Sequence, residues 1–313
     1  MTPPEPETHG WRAALLKRCC GVTPVPTAIV HPCDAAALGA ALDAASQELI
    51  SPILVGPEHK IRAAAAALGA DISGFRLEAT PHSHAAADKA VALVRAGEAQ
   101  LLMKGSLHTD ELMSAVLAAE TGLRTARRVS HVYIMDVPRY PRPLMITDAA
   151  INIAPGLEDK RDIIQNAIDL AHVLEIPQPK VAILSAVETV TSKLQSTLDA
   201  AALCKMADRG QITGALLDGP LGFDNAISPE AAREKGLNSP VAGVADILVV
   251  PDLVSGNLLA KNLTFLAGAD AAGVVLGAKV PIILTSRADP QPARVASCAV
   301  AVLMVCGQAG LRS

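Results

Sequence analysis

The turn Thr285-Ser286-Arg287-Ala288-Asp289 holds the residue types best suited to group-transfer chemistry. A planar guanidinium can grip a phosphate through two parallel hydrogen bonds. A hydroxyl beside it can donate to a developing oxyanion or to a thiolate. An apolar run over 281–284 precedes the turn, and Asp289-Pro290 can open a helix behind it. Ser286 and Arg287 therefore fall at the carboxyl end of a strand, where open α/β sheets bind their ligands. Taken alone a Ser-Arg pair is better read as a surface turn; its placement brings the two readings level.

Three further clusters follow strand-like runs in the same way. Lys104-Gly105-Ser106-Leu107-His108-Thr109 offers a full charge at Lys104 and, at Gly105, a backbone that can approach a ligand. His108 and Thr109 stand where a helix would begin, and a helix N-terminus favours an anion. An ordinary capped strand-to-helix loop is the competing reading; the order of residues is not that of a P-loop. Thr147-Asp148-Ala149-Ala150-Ile151-Asn152 can hold a ligand or orient other groups, or it can fix a crossover through side-chain-to-backbone bonds. In Asp218-Gly219-Pro220-Leu221-Gly222-Phe223-Asp224-Asn225, ligand binding, turn chemistry or a metal contact would each explain the composition. Ser255-Gly256-Asn257 belongs with it: Gly256 permits close approach, and Asn257 offers both a donor and an acceptor. No His/Cys cluster has ligand spacing, so no metal site is expected.

These turns need a scaffold, and the remaining sequence describes one. Strands are expected over 27–30, 53–56, 101–104, 131–135, 144–147, 181–185, 215–218, 247–250 and 282–285. Helices are expected over 34–49, 58–68, 84–96, 158–174, 193–209, 254–267 and 292–305, several of them opened by a capping residue such as Asp34. The alternation predicts a doubly wound, mostly parallel α/β architecture. The chain has 313 residues, enough for two joined lobes. The three prolines of Pro138-Arg139-Tyr140-Pro141-Arg142-Pro143 mark the break. The expected lobes are 1–142 with 288–313, and 143–287.

Composition narrows the class. Half of the chain is hydrophobic but only 2% is aromatic, so Ala, Val, Ile and Leu must build the core. A net charge of −4 argues against a nucleic-acid partner. The six cysteines form no C-x-x-C framework and read as reduced thiols. The Pro- and Glu-rich start lacks the apolar stretch of a signal peptide, and no apolar run reaches membrane-spanning length. A cytoplasmic protein with no membrane partner is expected.

Taken in order, the clusters resemble the phosphate acetyl/butyryltransferase family. The likeness runs from about Leu101 to Leu303 and is most specific in ITDAAINIAP (146–155), DAAALCKMADRGQITG (199–214), DGPLGFDNAIS (218–228), ADILVVPDLVSGN (245–257) and PIILTSRAD (281–289). The KMADRG and LTSRAD forms are more similar to the phosphate butyryltransferase branch than to the long acetyltransferase branch. The resemblance implies the two-lobed fold of isocitrate/isopropylmalate dehydrogenase-like enzymes, with an interlobe cleft, a last helix returning to the first lobe, and a homodimer. It also implies reversible transfer of a short acyl group between coenzyme A and inorganic phosphate. Acyl-CoA and phosphate are then substrates, and no tightly bound cofactor is needed. Carried over by position, Ser286 stabilises thiolate or oxyanion and Arg287 binds phosphate. Lys104, Gly105, His108, Thr109, Arg128, Asp148, Asn152, Asp218, Gly256 and Asn257 become the substrate-binding candidates.

Two positions depart from the acetyltransferase pattern. Its thiol-deprotonating aspartate falls on Ala293 here, leaving Asp289 as the nearest carboxylate, and a phosphate-binding arginine falls near Met113. The base is thus open among His108, His131 and Asp289, while Lys104 and Arg128 can supply positive charge. Two other readings remain beside the acyltransferase: a nicotinamide-dependent hydroxyacid dehydrogenase of the same fold, and a phospho-ligand sensor without catalysis.

Overall fold

A computed structural model describes residues 10–284 and 289–310, and the chain forms an α/β fold with two compact units. The first unit is Arg12–Arg127 with the chain from Ala272 onward; the second is Arg128–Ala271, to which Gly10 and Trp11 also belong.

The first unit begins with α1 (Trp11–Cys19), β1 (Val25–Val30), α2 (Ala35–Ser46), β2 (Ile50–Gly56) and α3 (Glu58–Leu68). It continues with β3 (Arg76–Ala79), α4 (Ser83–Arg95), β4 (Leu101–Lys104) and α5 (Thr109–Leu117). The second unit contains β5 (Ser130–Asp136), β6 (Leu144–Thr147), α6 (Leu157–Val173), β7 (Lys180–Leu184) and α7 (Gln195–Asp208). There follow β8 (Leu216–Leu221), α8 (Phe223–Ile227), α9 (Pro229–Glu234), β9 (Ile247–Val249) and α10 (Leu253–Ala267). The chain then returns through β10 (Asp270–Leu276), β11 (Ile282–Ile283) and α11 (Gln291–Gly310).

In the first unit the strands lie in the order β3-β2-β1-β4-β11-β10, parallel except that β10 opposes β11. In the second the order is β5-β6-β9-β7-β8, parallel except for β5 against β6. Ala28, Ile29 and Val30 of β1 and Leu144, Met145 and Ile146 of β6 are all buried, which is why these stretches read as apolar runs rather than as an alternation. Local signals set the helix ends. Asp34 accepts from Ala37 N at 2.7 Å, and Asp252 accepts from Ser255 N at 2.8 Å. Gly268, in the left-handed region at φ 67°, stops α10. The last helix packs on α2, β4 and β11 within the first unit.

The structure differs from the sequence reading at identifiable places. The compact units pass into one another between Arg127 and Arg128 and between Ala271 and Ala272, whereas the expected lobe bounds lay at 142/143 and 287/288. The proline-rich segment connects the antiparallel pair β5 and β6 inside the second unit, where Tyr140 OH donates to Ala245 O at 2.6 Å. Strands β3 and β10 carry no local strand signal: Arg-Leu-Glu-Ala has no apolar run, and Asp-Ala-Ala-Gly opens β10 with poor strand formers that pairing overrides.

Candidate active site

At the carboxyl end of β6, Asp148 is buried and closes a tight turn. Its Oδ1 accepts from Ala150 N at 2.9 Å and Ile151 N at 3.1 Å; its Oδ2 accepts from Asn152 N at 3.1 Å and Asn152 Nδ2 at 2.5 Å. Burial raises the carboxyl pKa, and these donations pull against it. Asn152 also donates from Nδ2 to Val129 O at 2.9 Å and accepts from Arg128 Nε at 2.7 Å. Arg128 is thereby anchored through Nε, with Asp159 Oδ1 at 3.6 Å, while its side chain stays half exposed. Asp148, Asn152 and Arg128, separated by up to 24 residues, form one polar chain that ends in a guanidinium. Such a chain fixes the orientation of a half-exposed cation.

Gly256 and Asn257 lie in the first turns of α10. A Cβ at Gly256 would stand 2.8 Å from Val250 Cγ2 and 2.9 Å from Ala149 Cβ, so this glycine lets the helix sit on the Asp148 turn rather than admitting a ligand. Asn257 is half buried. Asp218 does not join this group. The sequence ended its strand there, but β8 continues to Leu221 through a register shift opposite Ala182 and Leu184. Asp218 is consequently internal to β8, at the far edge of the sheet from β5, and its Oδ1 accepts from Gly219 N at 2.8 Å. The negative charge of Asp218 adds to burial in pushing the Cys204 thiol up to about 12.

In the first unit, Lys104 is half buried at the end of β4, with Nζ 3.4 Å from Gly105 O. A Cβ at Gly105 would lie 2.5 Å from His31 O and nearer still to Val30 O. Gly105 therefore admits the β1 backbone, not a ligand. Ser106 fastens the same loops together, donating to His31 O at 2.8 Å and accepting from Cys33 N at 3.2 Å. His108 and Thr109 begin α5, as expected. However, the first turn carries Asp110 and Glu111, whose charges already answer the helix dipole. Glu111 is held below the ordinary carboxyl range first by a hydrogen bond from Ser83. Two acids of the chain's own thus stand at the helix start where an anion was expected.

Ser286 and Arg287 lie outside the described residues; Asp289 stands just before α11. His131 is buried in β5 against the Tyr133 ring at 4.3 Å, and burial drives its pKa down to about 3. Met113 is buried in α5, and Ala293 lies in the first turn of α11.

Sequence reasoning missed a cavity of about 650 Å³ at the carboxyl ends of β7 and β9. On its wall Lys160 Nζ meets Asp199 Oδ2 at 2.6 Å, the two side chains being 7% and 10% exposed. Gln195 Nε2 donates to Asp199 Oδ1 at 2.8 Å. A signal was present. Lys160 falls on the apolar stripe of α6 with Ile163, Ile164 and Ala167, and Asp199 falls on that of α7 with Ala200 and Leu203.

A family model described as phosphate acetyl/butaryl transferase matches residues 78–302. The chain is 66% identical over 280 residues to a phosphate acetyltransferase of Rhizobium meliloti, covering 90% of this chain and 89% of that one. It is 42% identical over 271 residues to a phosphate butyryltransferase of Clostridium acetobutylicum, covering 87% and 90%. A solved branched-chain phosphotransacylase from Enterococcus faecalis V583 superposes with a TM-score of 0.76 at 30% identity, covering 90% and 99%. Motifs, fold and likeness agree, and the chain belongs to the phosphate acetyl/butyryltransferase family.

Proposed function

We propose that the protein is a phosphate acyltransferase that moves a short acyl group reversibly between coenzyme A and inorganic phosphate. The observation that carries this reading is 66% identity to a phosphate acetyltransferase across nine-tenths of the chain. Acetyl is the acyl group for which relatives at 60–66% identity are named.

The reaction asks for few devices. A phosphate oxygen attacks the thioester carbonyl, a tetrahedral oxyanion forms, and the thiolate of coenzyme A leaves; the reverse begins with thiolate on acyl phosphate. Holding both substrates together supplies much of the acceleration, and fixed donors at the oxyanion supply the rest. Arg287 binds phosphate and Ser286 donates to the oxyanion or thiolate. Arg128, fixed through Nε by Asn152, brings a second guanidinium, and Lys104 a further charge. Asp289 is the carboxylate assigned to the thiol proton. Support for these roles comes from the sequence likeness around residues 281–289, from the place of Lys104 at the end of β4 and from the polar chain through Asp148.

The working form is a homodimer, paired through α10. Val254, Leu258, Phe265 and Leu266 share that helix, and each keeps more than half of its surface exposed, a larger apolar face than an isolated surface helix usually shows. The compartment is the cytoplasm, in keeping with six unpaired cysteines. No helix among the described residues is long and apolar enough to cross a membrane.

Incubation with acetyl-, propionyl- or butyryl-CoA and phosphate, following free thiol, tests the activity. Phosphate-dependent thiol release is expected, fastest with acetyl-CoA; its absence with all three overturns the reading.

A further inference from the structure

The cavity at β7 and β9 occupies a position that sheet topology marks out. In the order β6-β9-β7-β8 these two strands are neighbours, yet the helices that follow them leave in opposite directions. After β7, α7 packs on β7 and β8; after β9, α10 packs on β6 and β5. Such a divergence opens a crevice at the carboxyl ends of the strands, where doubly wound sheets bind ligands. The volume of about 650 Å³ lies inside the range of roughly 300–1,000 Å³ found for small-molecule sites.

The lining tells what chemistry fits. Leu184, Val250, Leu259 and Phe223 make apolar walls. The fixed charges on the lining are the ammonium of Lys160 and the carboxylates of Asp199 and Asp252, one positive against two negative. That balance repels phosphate and diphosphate groups. Asp199 has both oxygens engaged, by Lys160 and by Gln195. Lys160, nearly buried, has one of its three N–H groups on Asp199 and two more to donate. At the mouth, the Ser185 and Ser196 hydroxyls lie 2.8 Å apart and add neutral donors and acceptors. The complementary ligand is long, uncharged and largely apolar, with carbonyl groups along it.

We propose that this cavity seats the pantetheine arm of acyl-CoA, with Lys160 donating to an amide carbonyl and the phosphorylated nucleotide remaining outside. The arm is the neutral, amide-bearing part of that substrate, and the assignment rests on the acyl-CoA reaction proposed above. Lys160 and its partner Asp199 are then binding and positioning residues, with no part in bond making.

Calorimetry on the full chain with coenzyme A, 4′-phosphopantetheine and adenosine 3′,5′-bisphosphate tests it. Ala186 is exposed on the rim, so Ala186→Trp fills the mouth without touching the core. It should weaken coenzyme A and phosphopantetheine at least about tenfold and leave the bisphosphate within about twofold. Lys160→Met should weaken the same two ligands by about three- to tenfold; if it fails to fold, Ala186→Trp alone decides. Coenzyme A affinity unchanged in Ala186→Trp overturns the proposal, as does equal loss of the bisphosphate. Native protein that binds coenzyme A through this cavity yet releases no thiol with phosphate would leave the cavity assigned and overturn the activity. Native protein that does not bind coenzyme A overturns both.

Discussion

Four donors occupy the two oxygens of Asp148, so this carboxylate is first a structural clamp and only through Asn152 a means of aiming Arg128. Asp148→Asn puts an NH₂ group in front of backbone N–H donors. Urea unfolding should show a loss of about 1–3 kcal/mol, with a raised phosphate KM following from the loosened guanidinium. At the neighbouring strand, burial alone keeps the His131 imidazole neutral, with its pKa pushed down to about 3. The unfolded chain takes up a proton on this side chain below its ordinary value of 6.5, and the folded chain does not. Stability from His131 is therefore complete above pH 6.5 and is lost as the pH falls toward 3, at about 1.4 kcal/mol per pH unit at most. His131→Phe should remove about one proton's worth of slope between roughly pH 6 and 5 in denaturant titrations; an unchanged slope would show that the imidazole is not excluded from solvent. For the proposed chemistry, Arg287→Ala should chiefly raise the phosphate KM, and Ser286→Ala should chiefly lower kcat, by about 100-fold. Steady-state kinetics with each substrate varied would expose the reverse pattern.

Among the elements, two glycines separate what the residue types promised from what packing requires. Both sit at positions read as open to a ligand, and both instead admit the chain itself. Gly256→Ala gains up to about 1 kcal/mol of helix propensity. It also forces a methyl against Val250 and the Ala149 backbone, at a cost of about 1–3 kcal/mol. Net destabilisation in thermal melts is the expected outcome. Gly105→Ala should be worse, because the atoms in its way are the fixed carbonyls of Val30 and His31. Asp218 teaches the complementary lesson. Gly219-Pro220 has the composition of a turn, yet β8 carries it through an irregular pairing with β7 to Leu221. Local sequence marked a break, and the ladder on the neighbouring strand decided otherwise.

For the whole molecule, the exposed apolar residues of α10 bear on assembly. Leu258→Lys should shift the protein toward monomer in sedimentation velocity, with the fold retained because the side chain faces out. A native protein already monomeric at working concentration would remove the homodimer from the proposal. The element order, most strand and helix positions and the family were legible from the sequence, because apolar runs, capping residues and strand-end motifs are written locally. Glu58–Leu68 and Leu144–Thr147 stand where the pattern placed them. What tertiary structure alone decided is company. Arg128, Asp148 and Asn152 meet, Asp218 stays apart, and Lys160 finds Asp199 across 39 residues of chain. Strand order and helix packing determine which side chains share a space, and those are set by contacts between segments distant in sequence, which no local pattern records.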